Sequence, residues 1–546
     1  MSVIDFAEAA HIRARTRSEP PESVDVAIVG CGIGGLTAAA YLARSGLKVA
    51  CFDSHYVAGG CTTQFERGPS DGRYHFDIGL HYVGDCTEKG AIPTMLRGAG
   101  VEVDWLPMDQ NGFDTLIFPG LRFAIPANIE LYRDRLVALF PKEKKGIDRY
   151  VQLLREVDHF ASVMEARKKP SALKMVLDLA LHGRLLARYR GATIAQFLDT
   201  CTQDPGLRAI FLGQSGDYGV PPSECSVLMH MGLAAHYFKG AYYPKGGGQV
   251  LADRLADSVE AAGGTIHLRM GIEKILIENE VAVGIRTEPR KGQQYTVRAG
   301  KVLSNADIKR TLLELVGPEN LPQRWVERTQ TMQMGGALFM TCLGVQADMA
   351  QKGMAATNYW QFDSFDVEAF YRDCNVGGQI TPRGCYITST TFKDPTTTTH
   401  SPAGICNIEV MTLVPGGADA WGVPKAQIDG GSYRKDGEYK ERKDQVQADM
   451  IRRLEAIFPG TAEHIVFAES ASPVTHSRYT RASDGTGYGL AATPGQFMNE
   501  RPGYRAPVSG LYLCGASTRA GHGIVGAMRS GVSAAKRIAQ DMGNSL

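Results

Sequence analysis

The stretch from Val24 to Asp53, V-D-V-A-I-V-G-C-G-I-G-G-L-T-A-A-A-Y-L-A-R-S-G-L-K-V-A-C-F-D, constrains the fold of this chain more than any other. A short apolar run, Val24 to Val29, leads directly into Gly30, Gly32 and Gly35, then an alanine-rich helical segment, then a second apolar run ending on Asp53. This order predicts strand, glycine turn, helix and strand, the opening unit of a Rossmann-type α/β domain. Gly30 permits the tight turn, Gly32 lets the backbone approach a pyrophosphate, and Gly35 lets helix and strand pack closely. A phosphate at the helix N-terminus meets unpaired N–H groups and the positive end of the helix dipole. Asp53 stands 18 residues after Gly35, where a carboxylate accepts hydrogen bonds from a ribose. The stretch predicts a dinucleotide site. Val26 to Ala43 is also 18 residues without a charge, the length at which a membrane span becomes a candidate. Its four glycines and strand-like start argue for a buried β-turn-α unit instead.

The other bounds come from size and composition. A chain of 546 residues exceeds one ordinary core and is expected to form two or more domains. Its net charge of +1 supplies no global field that would recruit nucleic acid. The cysteines number eleven and contain no C-x-x-C pair, which predicts reduced thiols and argues against a disulfide or zinc framework. No metal site is expected. Residues 1–23 lack the apolar core of a secretion signal and read as a polar arm ending at Pro20-Pro21. A cytoplasmic protein is expected, with peripheral contact to a membrane as an open possibility.

Downstream of Asp53, Gly59-Gly60 offers a second close approach of backbone to a cofactor, beyond the first turn. Tyr74 to Gly84, Y-H-F-D-I-G-L-H-Y-V-G, alternates as a strand, and its two histidines and Asp77 are either catalytic or simply hydrogen-bonded. Residues 127–160 show helical periodicity, with Leu131, Leu136, Leu139 and Phe140 on one side. Arg167 to Arg190 carries seven basic residues and one acid, Asp178, among many apolar ones. Such a run is either a helix lying in a membrane interface or a solvated helix packed on its own domain. Asp199 to Tyr243 reads as helical, a further helix runs to Ala262, and residues 265–306 read as several strands. From about 335 to 460 the pattern is that of a mixed sheet domain. The C-terminal L-Y-L-C-G-A-S-T-R-A-G-H-G-I-V-G-A-M-R-S-G predicts a strand, a glycine turn and a helix starting near Ile524.

The glycine motif, the Gly-Gly pair beyond Asp53 and the phrase F-D-I-G-L-H-Y-V-G together resemble the FAD-dependent phytoene desaturase, carotenoid isomerase and retinol saturase superfamily. The Gly79-Leu80-His81-Tyr82 phrase is most similar to the saturase and isomerase branches, since desaturases usually have proline at the position of His81. One departure is Cys61, which stands where the family commonly has Arg or Lys. The resemblance implies a glutathione-reductase/amine-oxidase-like FAD-binding domain built from 24–145, 241–334 and 465–546. A discontinuous α+β substrate domain, facing the membrane, would then be built from 146–240 and 335–464. It implies FAD contacts at Gly30, Gly32, Gly34, Gly35, Asp53 and Ser54. Further contacts are implied at Gly59, Gly60, Cys61, Gly79 and Leu80, at Ile272 (or Glu273) and Asn305, and at Gly515, Gly523, Ile524 and Val525.

A flavin donates or accepts a hydride, so the protein need only orient a substrate carbon, exclude water and move a proton. No serine-histidine motif, H-E-x-x-H or interpretable carboxylate pair is present. The expected reaction is hydride transfer at an allylic carbon of an apolar polyene, as desaturase, saturase or isomerase, with His81 first and His522 second as proton-moving residues. Cys61 offers a covalent flavin link as a minor alternative. Electrons would be exchanged with a quinone, oxygen or a reductase, because no second dinucleotide motif is present. Two competing readings are a flavin amine oxidase and a non-enzymatic carrier of prenylated partners, similar to Rab escort factors.

Overall fold

The computed structural model describes residues 19–68, 73–165, 171–372, 374–376, 378–544 and 546. Two seven-stranded sheets organise these residues. In the first, strands 265–267, 49–52, 23–29 and 296–304 lie side by side in parallel, and strand 511–513 joins beside 302–304. Strands 281–287 and 272–278 complete it in antiparallel fashion. The predicted unit is present, with strand Ser23–Val29, helix Ile33–Arg44 and strand Val49–Phe52. Both strands are apolar because the sheet is covered on both faces.

The C-terminal helix Gly523–Asp541 packs along helix Ile33–Arg44. Contact is close because both helices present glycine at the crossing. A Cβ on Gly531 would stand 2.2 Å from the Gly34 carbonyl oxygen, and a Cβ on Gly34 would stand 2.9 Å from that of Ala527. The first and last segments of the chain therefore form one rigid pair, with both N-termini at the same end of the sheet.

The second sheet has the order 465–471, 337–345, 406–414, 384–388, 358–362, 114–118 and 121–125. Its strands at 114–125 and 465–471 come from stretches expected to serve the cofactor domain, so the two sheets share chain on both sides of the expected boundaries. Helices at 129–165 and 172–237 cover one side.

Several local expectations are corrected. Tyr74 to Gly84 is not one strand: Tyr74–Asp77 pairs with Gln64–Arg67, the chain bends through 78–82, and only Val83–Gly84 resumes pairing. All four residues of the first piece are buried, so its alternation does not mark a solvent face. On helix Ile129–Leu139 the core-facing residues are Tyr132 and Leu136, while Leu131 and Leu139 are exposed. Residues 241–244 form a strand rather than the end of a helix. Within the basic run, Gly183 separates helices Ala172–His182 and Arg184–Tyr189, and residues 166–170 lie outside the described part. The arm at 1–18 also lies outside it. All eleven cysteines are free thiols, and among the described residues no helix is long and apolar enough to cross a membrane.

Candidate functional site

A continuous cavity of about 960 Å³ connects the carboxyl ends of the first parallel strands with the inner face of the second sheet. Its volume is at the top of the ordinary range for one small-molecule site, roughly 300–1,000 Å³.

At the nucleotide end, Gly32 is the extended N-cap of helix Ile33–Arg44, with no side-chain cap and no acid in the first turn. The unpaired N–H groups of that turn border the cavity through Gly32, Ile33 and Gly34. Gly30 has φ +96°, and a Cβ there would press on the Asn305–Ala306 backbone at 3.3 Å. Asp53 is held by two backbone donors, Cys31 N–H at 2.7 Å to Oδ2 and His55 N–H at 2.8 Å to Oδ1. The lone pairs left over suit two ribose hydroxyls. The second glycine turn closes on the first: Gly59 N–H donates to Cys31 O at 2.8 Å, and a Cβ on Gly60 would stand 3.1 Å from Gly32 Cα. His522 is the N-cap of the C-terminal helix, again without a side-chain cap or an acid in the first turn.

Ser54, Gly59, Gly60, Cys61, Gly79, Ile272, Asn305, Gly515, Gly523, Ile524 and Val525 all border this cavity. Leu80 and Gly35 do not. Leu80 is buried in the core under the nucleotide sheet, and Gly35 packs helix on strand, where a Cβ would meet Gly30 O at 2.2 Å. Glu273 is turned away and bonds Arg286 and Gln294. Two open helix ends, a fixed carboxylate and glycine walls fit a dinucleotide. Cys61 brings no cation to it, and its thiol is pushed up to about 11 by burial, with Sγ 3.5 Å from His476 Nε2. A thiol held neutral is a poor nucleophile. Acid precipitation of the loaded protein is therefore expected to leave a colourless pellet, and a yellow one would overturn this account of Cys61.

At the far end two polar clusters are buried among aromatic and apolar residues. In the first, His81 Nδ1 is 3.1 Å from Glu409 Oε2, and Glu409 Oε1 accepts Asp77 N–H at 2.9 Å. Asp77 also accepts from Gly248 N–H at 2.9 Å and from the Tyr243 hydroxyl. Lys393 donates to His81 O at 2.6 Å and lies 4.6 Å from the Tyr243 ring centre. Burial pushes the Lys393 ammonium down to about 8 against the pull of Glu409 and Asp77. Among the described residues the buried His81 Nε2 has no hydrogen-bond partner, and His81 borders the cavity. Burial pushes His522, which stands beside the Asp217 backbone, down to about 3.

The second cluster is centred on Tyr82, whose hydroxyl lies 2.9 Å from Asp114 Oδ2 and 2.6 Å from Asp217 Oδ2. Gln214 and Asn358 also donate to Asp114, at 2.7 and 2.8 Å. The Tyr82 ring stacks on Tyr237 at 4.3 Å, and Tyr386 and Trp360 close the wall. Sequence reasoning missed Asp114, Asp217, Lys393 and Glu409. One legible signal existed: Glu409 is a single acid within the apolar run C-N-I-E-V-M-T-L-V.

A histidine in the wall gives a pH test. Gly84 N–H donates to His236 Nε2 at 2.8 Å, a bond that only the unprotonated nitrogen accepts. Burial, with Arg529 and Lys239 nearby, pushes His236 down to about 3 from 6.5. The unfolded chain takes up this proton first, so the histidine's contribution to stability falls as pH drops from about 6.5 towards 3. The slope is about 1.4 kcal/mol per pH unit. His236→Gln, whose Oε1 can accept the same N–H, is expected to flatten the acid limb of urea-unfolding stability by that slope. An unchanged limb would show that His236 is not held neutral.

The two ends of the chain match known families. Residues 28–98 match an NAD(P)-binding Rossmann-like domain, and residues 430–539 match the flavin containing amine oxidoreductase family. An all-trans-retinol 13,14-reductase from Danio rerio is 28% identical over 520 residues, covering 91% of this chain and 83% of that protein. A chloroplastic prolycopene isomerase 1 from an Oncidium hybrid cultivar is 24% identical, covering 96% and 85%. These matches indicate the FAD-dependent oxidoreductase superfamily. Solved structures share the fold of this FAD oxidoreductase: an oxidoreductase from Methanosarcina mazei has TM-score 0.62 at 18% identity, covering 93% of this chain and 99% of that one. A putrescine oxidase variant has TM-score 0.62 at 17% identity, covering 96% and 100%. FAD is the cofactor that the nucleotide end accommodates, and the protein is a flavin oxidoreductase with an amine-oxidase-like fold.

Proposed function

We propose that the protein is an FAD-dependent oxidoreductase acting on a carbon-carbon double or single bond of an apolar polyene, carotenoid- or retinoid-like. The observation that carries the reading is the single cavity, which joins the dinucleotide loops to a deep chamber walled by Leu228, Met229, Leu233, Leu338, Met340 and Met411. The similarity to a retinol reductase and a prolycopene isomerase over most of the chain supports a polyene. Bound FAD supplies a hydride donor or acceptor. This chain's residues orient the substrate, exclude water and hold the proton. His81 is the proposed proton acceptor: its Nδ1 faces the Glu409 carboxylate, so in the neutral ring the lone pair of Nε2 is turned to the cavity. His522, held neutral by burial, borders the cavity at the junction of the two ends.

Anaerobic incubation of oxidised and reduced holoprotein with a panel of polyenes tests the reading. Flavin reduction means desaturation, reoxidation with a gain of two hydrogens means saturation, and unchanged mass with altered geometry means isomerisation. No change with any polyene would overturn it. The aromatic wall of Tyr82, Tyr237, Tyr386 and Trp360 favours one second reading, a flavin amine oxidase that boxes a cationic amine. Hydrogen peroxide formed with amines and not with polyenes would decide for it.

Access through a membrane surface is part of the proposal. Leu173, Val176, Leu177 and Leu181 on helix Ala172–His182 are 72, 63, 55 and 72% exposed. That helix is tied by Asp178 to His159, beside the cavity-lining Val157, Asp158 and Ala161. Arg184, Arg188 and Arg190 follow directly. Apolar burial with basic flanks suits an anionic bilayer. Sedimentation with anionic liposomes is expected, and weakened binding once the three arginines are neutralised; unchanged binding would remove the interfacial role.

A further inference from the structure

The Tyr82 hydroxyl lies between two carboxyl groups and can donate only one hydrogen. Its oxygen is 2.9 Å from Asp114 Oδ2 and 2.6 Å from Asp217 Oδ2. An ionised carboxylate only accepts, so two such contacts require a hydrogen on one of the two carboxyls. Asp114 receives donors on both oxygens, from Gln214 at 2.7 Å, Asn358 at 2.8 Å and Tyr82, which is the surrounding of a carboxylate ion. Among the described residues the Asp217 carboxyl bonds only Tyr82. The hydrogen therefore belongs on Asp217, which donates to Tyr82 while Tyr82 donates to Asp114.

We propose that Asp217 is the acid of this cavity, delivering its carboxyl hydrogen to a substrate carbon, with Tyr82 and Asp114 holding that hydrogen in place between turnovers. Asp217 and Tyr82 both border the cavity, and Asp114 stands behind them. Tyr386 stands between the two clusters, its ring centre 5.9 Å from that of His81 and 6.4 Å from that of Tyr82. The inference rests on the polyene reading for its substrate, but not for the location of the hydrogen.

The surroundings keep Asp217 neutral. The ionisable groups facing it are Tyr82, Asp114, Tyr237, Tyr386, Tyr488 and His522. Burial holds the tyrosines protonated and His522 uncharged, so none of these groups is a cation that would offset a second carboxylate. Burial first, and the Asp114 charge second, hold the Asp217 carboxyl well above the usual carboxylate range. Asp114 is itself pushed up only to about 6 because its donors oppose its burial.

In saturation, bound reduced FAD would supply a hydride, with its two electrons, to one carbon of the double bond. The Asp217 O–H bond breaks, a C–H bond forms at the neighbouring carbon, and Asp217 is left as a carboxylate beside Asp114. A proton from water restores it. In desaturation a C–H bond breaks with its hydride passing to bound oxidised FAD, and His81 Nε2 would take the proton from the neighbouring carbon.

Infrared spectra of the holoprotein at pH 7, wild type minus Asp217→Asn, test the location of the hydrogen without any turnover. A neutral carboxylic-acid carbonyl band is expected in the wild type and absent from the variant. A band missing from the wild type, or unchanged in Asp217→Asn, would overturn the proposal. With a polyene that the wild type saturates, Asp217→Asn is expected to lower turnover about 10²–10⁴-fold at unchanged flavin content. Equal turnover would also overturn it. If Asp217→Asn does not fold, Tyr82→Phe serves instead and is expected to shift the carbonyl band, the hydrogen having lost its partner; an unshifted band overturns the proposal. If the band behaves as expected but no polyene reacts, the polyene reading fails and the protonated Asp217 stands.

Discussion

Gly531→Leu is expected to yield folded protein with flavin occupancy reduced about tenfold or more, although residue 531 lies eight positions inside the C-terminal helix. The added side chain must enter space held by the Gly34 carbonyl and the Ala38 amide, 2.2 and 3.1 Å from the Cβ position. Those atoms are helix backbone and cannot rotate away, so the two helices must separate. Overpacking of this kind costs about 1–3 kcal/mol. The damage to FAD binding should exceed that to the fold, because the helices carry the two open N-termini at the nucleotide end. Gly437→Leu, where a Cβ meets nothing within 4 Å, is the control and should keep its flavin. Flavin absorbance per protein, with circular dichroism to confirm folding, makes the comparison. Full occupancy in Gly531→Leu would show that the helix approach does not set the cofactor site.

Lys393→Met is expected to destabilise the protein by about 3–5 kcal/mol in urea titrations near pH 7. Lys393 is buried with Asp77 and Glu409, and its Nζ holds the backbone of His81 at 2.6 Å. Removing the ammonium leaves two buried carboxyl groups and one histidine to balance them, in a cluster that joins the second sheet, through Glu409, to strand Tyr74–Asp77 and to the start of helix Gln249–Ala261. Combining Lys393→Met with Glu409→Gln should recover most of the loss, since the second change removes the charge that the first left unpaired. A double variant as unstable as the single one would show that packing around the Lys393 stem, rather than charge, holds this junction together.

The parts legible in the sequence are those in which a local backbone demand selects glycine. Val24 to Asp53 and Leu511 to Gly531 read correctly because the turns at Gly30 and Gly515, both with positive φ, and the helices after them lie within a few residues of each other. The chamber did not read in the same way. Asp114 and Tyr82 meet Asp217 across 103 and 135 positions, and Glu409 meets His81 across 328, so nothing in the local pattern marks them as partners. His81 was singled out by its motif, but the carboxylate that orients it was not. Tyr74 to Gly84 misled because both alternating sets of its first four residues are buried, and the chain then bends through 78–82.

The C-terminal clasp also bears on how the protein is made. Asp53 and Gly523 are 470 positions apart, yet both border the dinucleotide cradle. At ribosomal speeds of about 5–20 residues per second, the first strand, helix and strand emerge roughly 25–95 s before the helix that covers them. During that interval the alanine face of helix Ile33–Arg44 has no partner, and the cradle lacks one wall. FAD capture therefore belongs to the end of synthesis, and a ligand that binds only the closed form draws the chain towards it by mass action. A cell short of riboflavin would then hold less of the folded protein, as well as less active protein.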